Sequence, residues 1–451
     1  MKIGYLLIAL VFTHAAAALA AVQERPNIIF ILTDDQRHDA MGVAGNSIIQ
    51  TPNLDQLAGD GWRFENAFVT TPICAASRAS ILTGLYERTH KFTFGTPPLS
   101  KEHVDQSYPK LLKEAGYQTG FIGKFGMKCE DELDKQLFDF DRRPGEQFWA
   151  ITYYRLNSDH TGHKHLTTEL GNLSVDFIEQ RDPEKPFCLS ISFHAPHAED
   201  VSPEQFIYPV ETRSLYKDIE IPEPLMSGDD DFESQPIWVR EGLNRVRWYW
   251  RFDTAEKYQR MVKGYYRMIS AVDAQIGRIR DTLKAQGIEK NTLIIFMSDN
   301  GYFLGERQLA GKWLMYENSL RVPMIVFDPR AKKKGTVSEM ALNIDIAPTI
   351  LDYAGIEIPE SMQGRPLQPL LGSGNTNWRT DFLCEHLMET SKIPKSEGIR
   401  TERFKYFRYI DHPEHEELYD LTKDPMERTN LANRQAMQEI LQGFRTQLEQ
   451  H

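Results

Sequence analysis

The 451-residue chain predicts an α/β protein: a large, mostly parallel sheet sandwiched by helices, followed by a small C-terminal subdomain of antiparallel sheet plus helix. Three observations predict it. Short, β-branched, almost uninterrupted apolar runs recur; helical patterns separate them; and the texture changes to alternating strands after about Leu371. Strands alternating with helices indicate a parallel sheet covered on both faces.

The apolar runs are Asn27 to Thr33 (NIIFILT), Thr119 to Ile122 (TGFI), Phe187 to Ser192 (FCLSIS), Leu293 to Ser298 (LIIFMS) and Val322 to Phe327 (VPMIVF). A run apolar at both alternating positions marks a strand buried on both sides. Thr51 and Pro52 read as an N-cap and a first-turn proline, opening a helix that turns Leu54 and Leu57 inward. A longer helix shows as Val262, Tyr265, Ile269, Val272, Ile276, Ile279 and Leu283, with Gly287 as its stop. Between them, Ser202 to Phe252 is rich in Pro, Asp and Trp and reads as a long irregular insertion, a type of segment that is often functional. Near the end, Arg403 to Ile410 alternates, EELYDL follows, and Met437, Ile440, Leu441, Phe444 and Leu448 mark a closing helix.

The first residues carry Lys2, an apolar run from Ile3 to Phe12, and Ala18-Leu19-Ala20 before a polar continuation. This is the pattern of a secretory signal over 1–20, cut near Ala20. The run falls short of the roughly 20 apolar residues of a membrane span, so an exported protein is expected, periplasmic or extracellular, without stable membrane insertion. The expected division is 1–20 signal, 21–370 main domain and 371–451 C-terminal subdomain. A net charge of -12 argues against a nucleic-acid partner, while a local cationic pocket or a metal still admits an anionic substrate. Nothing in the sequence reads out an oligomeric state. In an oxidising compartment, Cys74, Cys129, Cys188 and Cys384 allow up to two disulfides in three connectivities, and their spacing resembles no zinc site.

Ligands of open α/β sheets bind beyond the carboxyl ends of the strands. Asp34 and Asp35 follow the first run, and Asp299 and Asn300 follow LIIFMS. Three carboxylates and an amide on one sheet edge form a hard-oxygen set for Ca²⁺ or Mg²⁺. Any one aspartate also fits a turn or helix cap. Lys124, His194, His197 and Lys312 fall on the same edge, and cations beside a metal describe a site for a tetrahedral oxyanion. Taken singly, these residues also fit a surface lysine or a structural histidine. Cys74 precedes SRASILTG, a helical segment whose N-terminus favours an anion, with Arg78 one turn on. A thiolate is stabilised in such a place, so Cys74 is either a nucleophile candidate or a disulfide partner.

CAASRASILTG matches the C-x-[PA]-S-R-x-x-x-L-T-G signature and resembles the type I, formylglycine-dependent sulfatases of the alkaline phosphatase superfamily. Similar stretches cover nearly the whole chain beyond the leader: RPNIIFILTDDQR, AGYQTGFIGK, PFCLSISFHAPH, FMSDNGYFLGERQLAGKWLMYENSLRVP, NIDIAPTILDYAGIEIPESMQGRPL and ELYDLTKDPMERTNLA. The resemblance implies an alkaline phosphatase-like fold and Cys74 oxidised to formylglycine by a formylglycine-generating or anaerobic sulfatase-maturating enzyme. It implies Ca²⁺ in preference to Mg²⁺, held by Asp34, Asp35, Asp299, Asn300 and residue 74. Lys124 and Lys312 then contact sulfate oxygens, Arg78 steadies residue 74, and His197 stands near the leaving oxygen, with His194 the weaker choice. The substrate it implies is a sulfated carbohydrate, from an algal polysaccharide or a glycosaminoglycan.

Two departures stand out. Gly126 occupies the place of a histidine common in the family, and Glu306, Arg307 and Gln308 replace GEHG, placing Arg307 near the expected mouth of the site. Trp149, Tyr153, Tyr154, Trp248, Tyr249 and Trp250 are candidates for stacking on sugar rings, and Arg245, Arg247, Arg251 and Arg307 for reading further anionic groups; packing anchors and a solvated face are the plain alternatives. His386, beside Glu385, is a further candidate for the pocket. The rival readings are a phosphoesterase or phosphonate hydrolase of the same superfamily and a non-catalytic binder of sulfated glycans.

Overall fold

The computed structural model describes residues 25–144, 152–156, 163–372 and 377–451. The predicted signal over 1–20, its cut near Ala20, and Trp149 lie outside the described residues.

Two buried layers follow from the alternation within the central strand. In chain order the principal elements begin with β1 (Asn27–Thr33), α1 (Pro52–Asp60), β2 (Trp62–Phe64), α2 (Cys74–Thr83), β3 (Gln118–Gly123), β4 (Phe140–Arg142), α3 (Leu166–Gln180) and β5 (Phe187–Ser192). They continue with α4 (Leu243–Arg251), α5 (Ala255–Ala285), β6 (Thr292–Ser298), β7 (Met324–Phe327), β8 (Gly335–Val337) and α6 (Ile346–Tyr353). Ile28, Phe30 and Leu32 of β1 pack with Ile81 and Leu82 of α2 and Ile350 of α6. Ile29 and Ile31 point the other way, onto Leu170 and Phe177 of α3 and Val272 and Ile276 of α5. Side chains alternating between two apolar layers explain why every residue of β1 is buried.

The eight strands run in the order β8-β2-β7-β6-β1-β5-β3-β4. All are parallel except β7, which runs antiparallel to both β6 and β2. The Val322 to Phe327 run was thus read correctly as a strand but not as a parallel one, since alternation carries no strand direction. Thr51 also departs from expectation: its side chain makes no capping bond, accepting instead from the Gly42 amide at 2.8 Å and bonding Asp55 at 3.1 Å. The segment expected to be irregular over Ser202 to Phe252 contains α4, whose aromatic and arginine composition hides an amphipathic helix.

The C-terminal part adds β9 (Asp381–His386), β10 (Ser396–Thr401), β11 (Phe404–Tyr409) and β12 (His412–Asp420), an antiparallel sheet in sequence order, and α7 (Gln438–Leu448). Leu441, Phe444 and Leu448 of α7 cover Leu383, Ile399, Tyr406 and Leu418 on one face. From the opposite face Phe382, Cys384, Phe407 and Tyr409 enter the main core. All four cysteines are free thiols, with Cys188 and Cys384 buried in strands of different sheets. The expected disulfides are therefore absent. No described helix is long and apolar enough to cross a membrane.

Candidate active site

Strand register brings the chemistry together. Thr33 pairs with Ser298, Leu32 with Ser192, and Ser192 with Gly123. Four neighbouring strands therefore deliver Asp34-Asp35, Asp299-Asn300, the His194 to His197 loop and Lys124 to one edge. The Asp34 amide donates to the Ala195 carbonyl at 3.3 Å and the Lys124 amide to the Ser192 carbonyl at 2.9 Å, fixing these loops to one another. Asp35 takes a left-handed conformation, φ 71°. Its carbonyl accepts the Tyr265 hydroxyl at 2.7 Å and its amide donates to Asp299 at 3.2 Å, bonds that hold a backbone shape costly for a non-glycine residue.

Each carboxylate meets a cation. Lys124 pairs with Asp34, Lys312 Nζ lies 2.5 Å from Asp35 Oδ1, and Arg78 Nε lies 2.8 Å from Asp299 Oδ2. Arg78, 3% exposed, also donates to the Lys124 carbonyl at 2.6 Å and to the Ser192 hydroxyl. Its guanidinium therefore bridges three strand ends, a task for a planar fork of five donors. Burial alone would raise the Asp34 carboxyl, but Lys124, His197, Lys312 and Arg78 hold it well below the usual range. Asp299 goes the other way, to about 6, because burial and the neighbouring Asp34 charge outweigh its cations.

Two buried acceptors, Asp34 Oδ1 and Asn300 Oδ1, have no hydrogen-bond partner among the described residues. Asn300 Nδ2 donates to Asp35 Oδ1 at 2.7 Å and to the Gly301 carbonyl at 2.9 Å, so the amide is held beside the carboxylates. Buried polar atoms rarely go unpaired. Ligand atoms of Asp34, Cys74 and Asp299 lie within 4.8 Å of one another, as do those of Asp34, Asp35 and His197. Orphaned oxygens within a carboxylate cluster fit a hard divalent cation.

Cys74 opens α2 and is 6% exposed, so the first turn of a ten-residue helix points at the carboxylate edge. His197 Nδ1 lies 2.7 Å from the Ala198 carbonyl and Nε2 3.7 Å from Asp35 Oδ2. The first bond places the proton on Nδ1 and directs the Nε2 lone pair inward. Burial lowers the His197 pKa against the pull of Asp35 and Asp34. His194 sits beside Lys124, Asp34 and Arg78, 2% exposed, with neither ring nitrogen hydrogen-bonded among the described residues.

Several expected substrate contacts are elsewhere. Arg307 turns from the mouth to the C-terminal subdomain, where it donates to the Met426 carbonyl at 3.2 Å and to that of Glu427, with its guanidinium 4.3 Å from the Tyr316 ring centroid. Arg251 is fully buried, bound to Asp200, Gln205 and Tyr302. Arg245 packs between Phe232, Trp248 and Tyr249. His386 is fully buried at the end of β9. Tyr153 is buried instead of stacking at a surface, and its hydroxyl donates to the His197 carbonyl at 2.7 Å, bracing the histidine loop. Ser192 and Tyr265 escaped sequence reading because their importance lies in which strand end each happens to meet.

The carboxyl edge of the mostly parallel sheet thus brings carboxylates, lysines, an arginine and a histidine beside the cysteine at the entrance of α2, an arrangement suited to an anionic ester. The Sulfatase family model matches residues 26–356, and N-sulphoglucosamine sulphohydrolase, C-terminal, matches 305–451. The chain belongs to the sulfatase family, as a type I sulfatase of the alkaline phosphatase superfamily and a sulfuric ester hydrolase. It is 32% identical to an N-acetylglucosamine-6-O-sulfatase of Bacteroides thetaiotaomicron over 90% of this chain and 83% of that one. It is 32% identical to an arylsulfatase of Clostridium perfringens over 93% of each. A solved structure in complex with its substrate D-glucosamine-2-N,6-O-disulfate superposes with a TM-score of 0.80 at 28% identity, covering 94% of this chain and 97% of the other. Sulfate ester hydrolysis on carbohydrates is the activity these relatives support.

Proposed function

We propose that this sulfatase is exported and removes sulfate from a sulfated carbohydrate through a formylglycine made from Cys74 and a bound Ca²⁺, with 6-O-sulfated glucosamine the first sugar to test. The observation that carries the reading is the buried cluster itself: Cys74 at the first turn of α2 beside Asp34 Oδ1 and Asn300 Oδ1, neither of which is hydrogen-bonded among the described residues. Asp34, Asp35, Asp299 and Asn300 would hold the cation. The formylglycine supplies, as its hydrate, the hydroxyl that forms a covalent bond to sulfur and a second hydroxyl for release of sulfate. The metal supplies charge stabilisation.

This chain's own groups do the rest. The Asp34, Asp35 and Asp299 charges are balanced by Lys124, Lys312 and Arg78. With a divalent cation held by Asp34, Asp35, Asp299 and Asn300, Lys124 and Lys312, now paired with Asp34 and Asp35, would be available to sulfate oxygens. Arg78, tied to Asp299 and to the Lys124 carbonyl, orients residue 74. His197, braced by Tyr153 and Ala198, presents Nε2 to the leaving oxygen, and bound sulfate raises its proton affinity so that it can donate there. Burial of the edge keeps bulk water from competing.

The test is the mass of the peptide containing residue 74 in protein co-produced with a maturating enzyme, together with rates on 4-nitrophenyl sulfate and 4-nitrophenyl phosphate. A loss of about 18 Da from the thiol peptide is expected, with the sulfate turned over faster. An unmodified Cys74 alongside full sulfate ester turnover would overturn the formylglycine mechanism, and a faster phosphate reaction would favour the phosphoesterase.

A further inference from the structure

Helix α4 belongs to the insertion, yet it is bonded to the catalytic edge. Asn244 Nδ2 donates to the Ala310 carbonyl at 3.1 Å and to the Lys312 carbonyl at 2.9 Å. The loop that positions Lys312 therefore rests on α4. Leu243 packs with Ile73, Ala76 and Trp313, residues that flank Cys74 and Lys312 in sequence. Helical spacing puts Leu243, Arg247 and Trp250 on one face at i, i+4 and i+7, a ridge that begins beside the signature helix and runs outward.

The middle of this ridge has unused polar capacity. Arg247 lies 4.7 Å from the Trp313 ring centroid and pairs with Asp200. Its Nε is buried and has no partner among the described residues. Asp200 follows His197 by three residues and feels both His197 and Lys312 electrostatically. Arg251, from beneath, fixes the same carboxylate. Asp200 remains 31% exposed and Arg247 11%, so a carboxylate with lone pairs beyond its two arginine contacts and a guanidinium edge both reach solvent. That combination suits the vicinal hydroxyls or a second anionic group of a sugar. Beyond it Trp250 is 43% exposed, a large aromatic face left in water. Apolar aromatic faces with polar neighbours suit the C–H faces of sugar rings.

We propose that the Arg247–Trp250 face of α4, with Asp200, is a substrate track: Arg247 and Asp200 bind polar groups of the sugar bearing the ester, and Trp250 stacks on a neighbouring ring. This rests on the sulfate-ester reading above and deepens it, since it makes the substrate an oligo- or polysaccharide in preference to a free monosaccharide. Aromatic side chains at the centre of recognition surfaces carry a disproportionate share of binding.

The test uses affinity electrophoresis of the full chain through gels containing heparin, chondroitin sulfate or ι-carrageenan, and kcat/KM on tetrasaccharides of the same polymers against 4-nitrophenyl sulfate. The wild type is expected to be retarded by at least one polymer, and Trp250→Ala to lose that retardation. The ratio of kcat/KM on the tetrasaccharide to that on the aryl sulfate should fall about tenfold for Trp250→Ala. It should fall for Arg247→Lys as well, because an ammonium does not reproduce the fork. A wild type retarded by none of the polymers, or a Trp250→Ala variant retarded equally or with an unchanged ratio, overturns the track. Absence of aryl sulfate turnover by matured wild type would instead strike the sulfatase reading, which the gel result does not depend on.

Discussion

Replacing Glu87 by Gln should remove a pH dependence of stability built in beneath the signature helix. Glu87 is fully buried; its Oε2 accepts the Thr71 hydroxyl at 2.7 Å and the Leu387 amide at 3.4 Å, while Oε1 has no hydrogen bond among the described residues. Burial and the nearby Glu385 raise its pKa to about 8, against the weaker pull of Thr71, Leu387 and Arg88. Glu385 is itself raised by burial, with Arg88 opposing. The folded state thus holds a proton on Glu87 that the unfolded chain gives up above about 4.5. A carboxyl with a raised folded pKa contributes fully below the unfolded value and loses that contribution as pH climbs to the folded one. One pKa unit is worth about 1.4 kcal/mol, so between pH 5 and 7.5 the group should cost about 3 kcal/mol. Glu87→Gln keeps the shape and cannot ionise. Urea unfolding of both proteins at pH 5, 6, 7 and 7.5 reads the difference. Near-equal stability at pH 5 and a variant stabilised by about 3 kcal/mol at pH 7.5 are expected; parallel pH profiles would refute a neutral Glu87.

Four further outcomes follow from the same geometry. Arg307→Met should lower the unfolding midpoint while leaving KM for an aryl sulfate unchanged, since its contacts are the Met426 and Glu427 carbonyls and the Tyr316 ring; a raised KM would return it to the mouth. Treatment of the matured enzyme with EGTA should reduce turnover by about 10²-fold or more, and added Ca²⁺ should restore it better than Mg²⁺, as expected when several kcal/mol of charge stabilisation is withdrawn. Arg78→Lys should lower kcat by about 10²-fold with little loss of folded protein, because one ammonium cannot span Asp299, Ser192 and the Lys124 carbonyl; near-normal kcat would show that the fork is dispensable. Gly126→Ala should reduce kcat/KM, since φ at 126 is 71° and a Cβ there would lie 3.1 Å from Arg78 Cδ.

How much of this site the sequence displayed depends on whether a residue's neighbours are set by the strand order or by a tertiary accident. Asp34, Asp299 and Lys124 were legible because each directly follows a strand of the central sheet, and a mostly parallel sheet gathers such ends at one edge; His197, five residues past its strand, is brought there by a loop tied to the Asp34 amide. Arg307 was misplaced because its positive φ of 55° swings the side chain toward Glu427, and no local pattern announces a left-handed arginine. The same limit hid α4. Five of its nine residues, Leu243, Val246, Trp248, Tyr249 and Trp250, are apolar or aromatic, but they do not make its most buried face, which is formed by Asn244, Arg247 and Arg251 at i, i+3 and i+7, whose partners are carbonyls, Asp200 and Gln205. A helix buried through hydrogen bonds has no hydrophobic stripe to show. Those bonds also tie the insertion to the Lys312 loop. A substitution at Asn244 should therefore be felt at Lys312, while the carboxylate edge beneath is set by strand register.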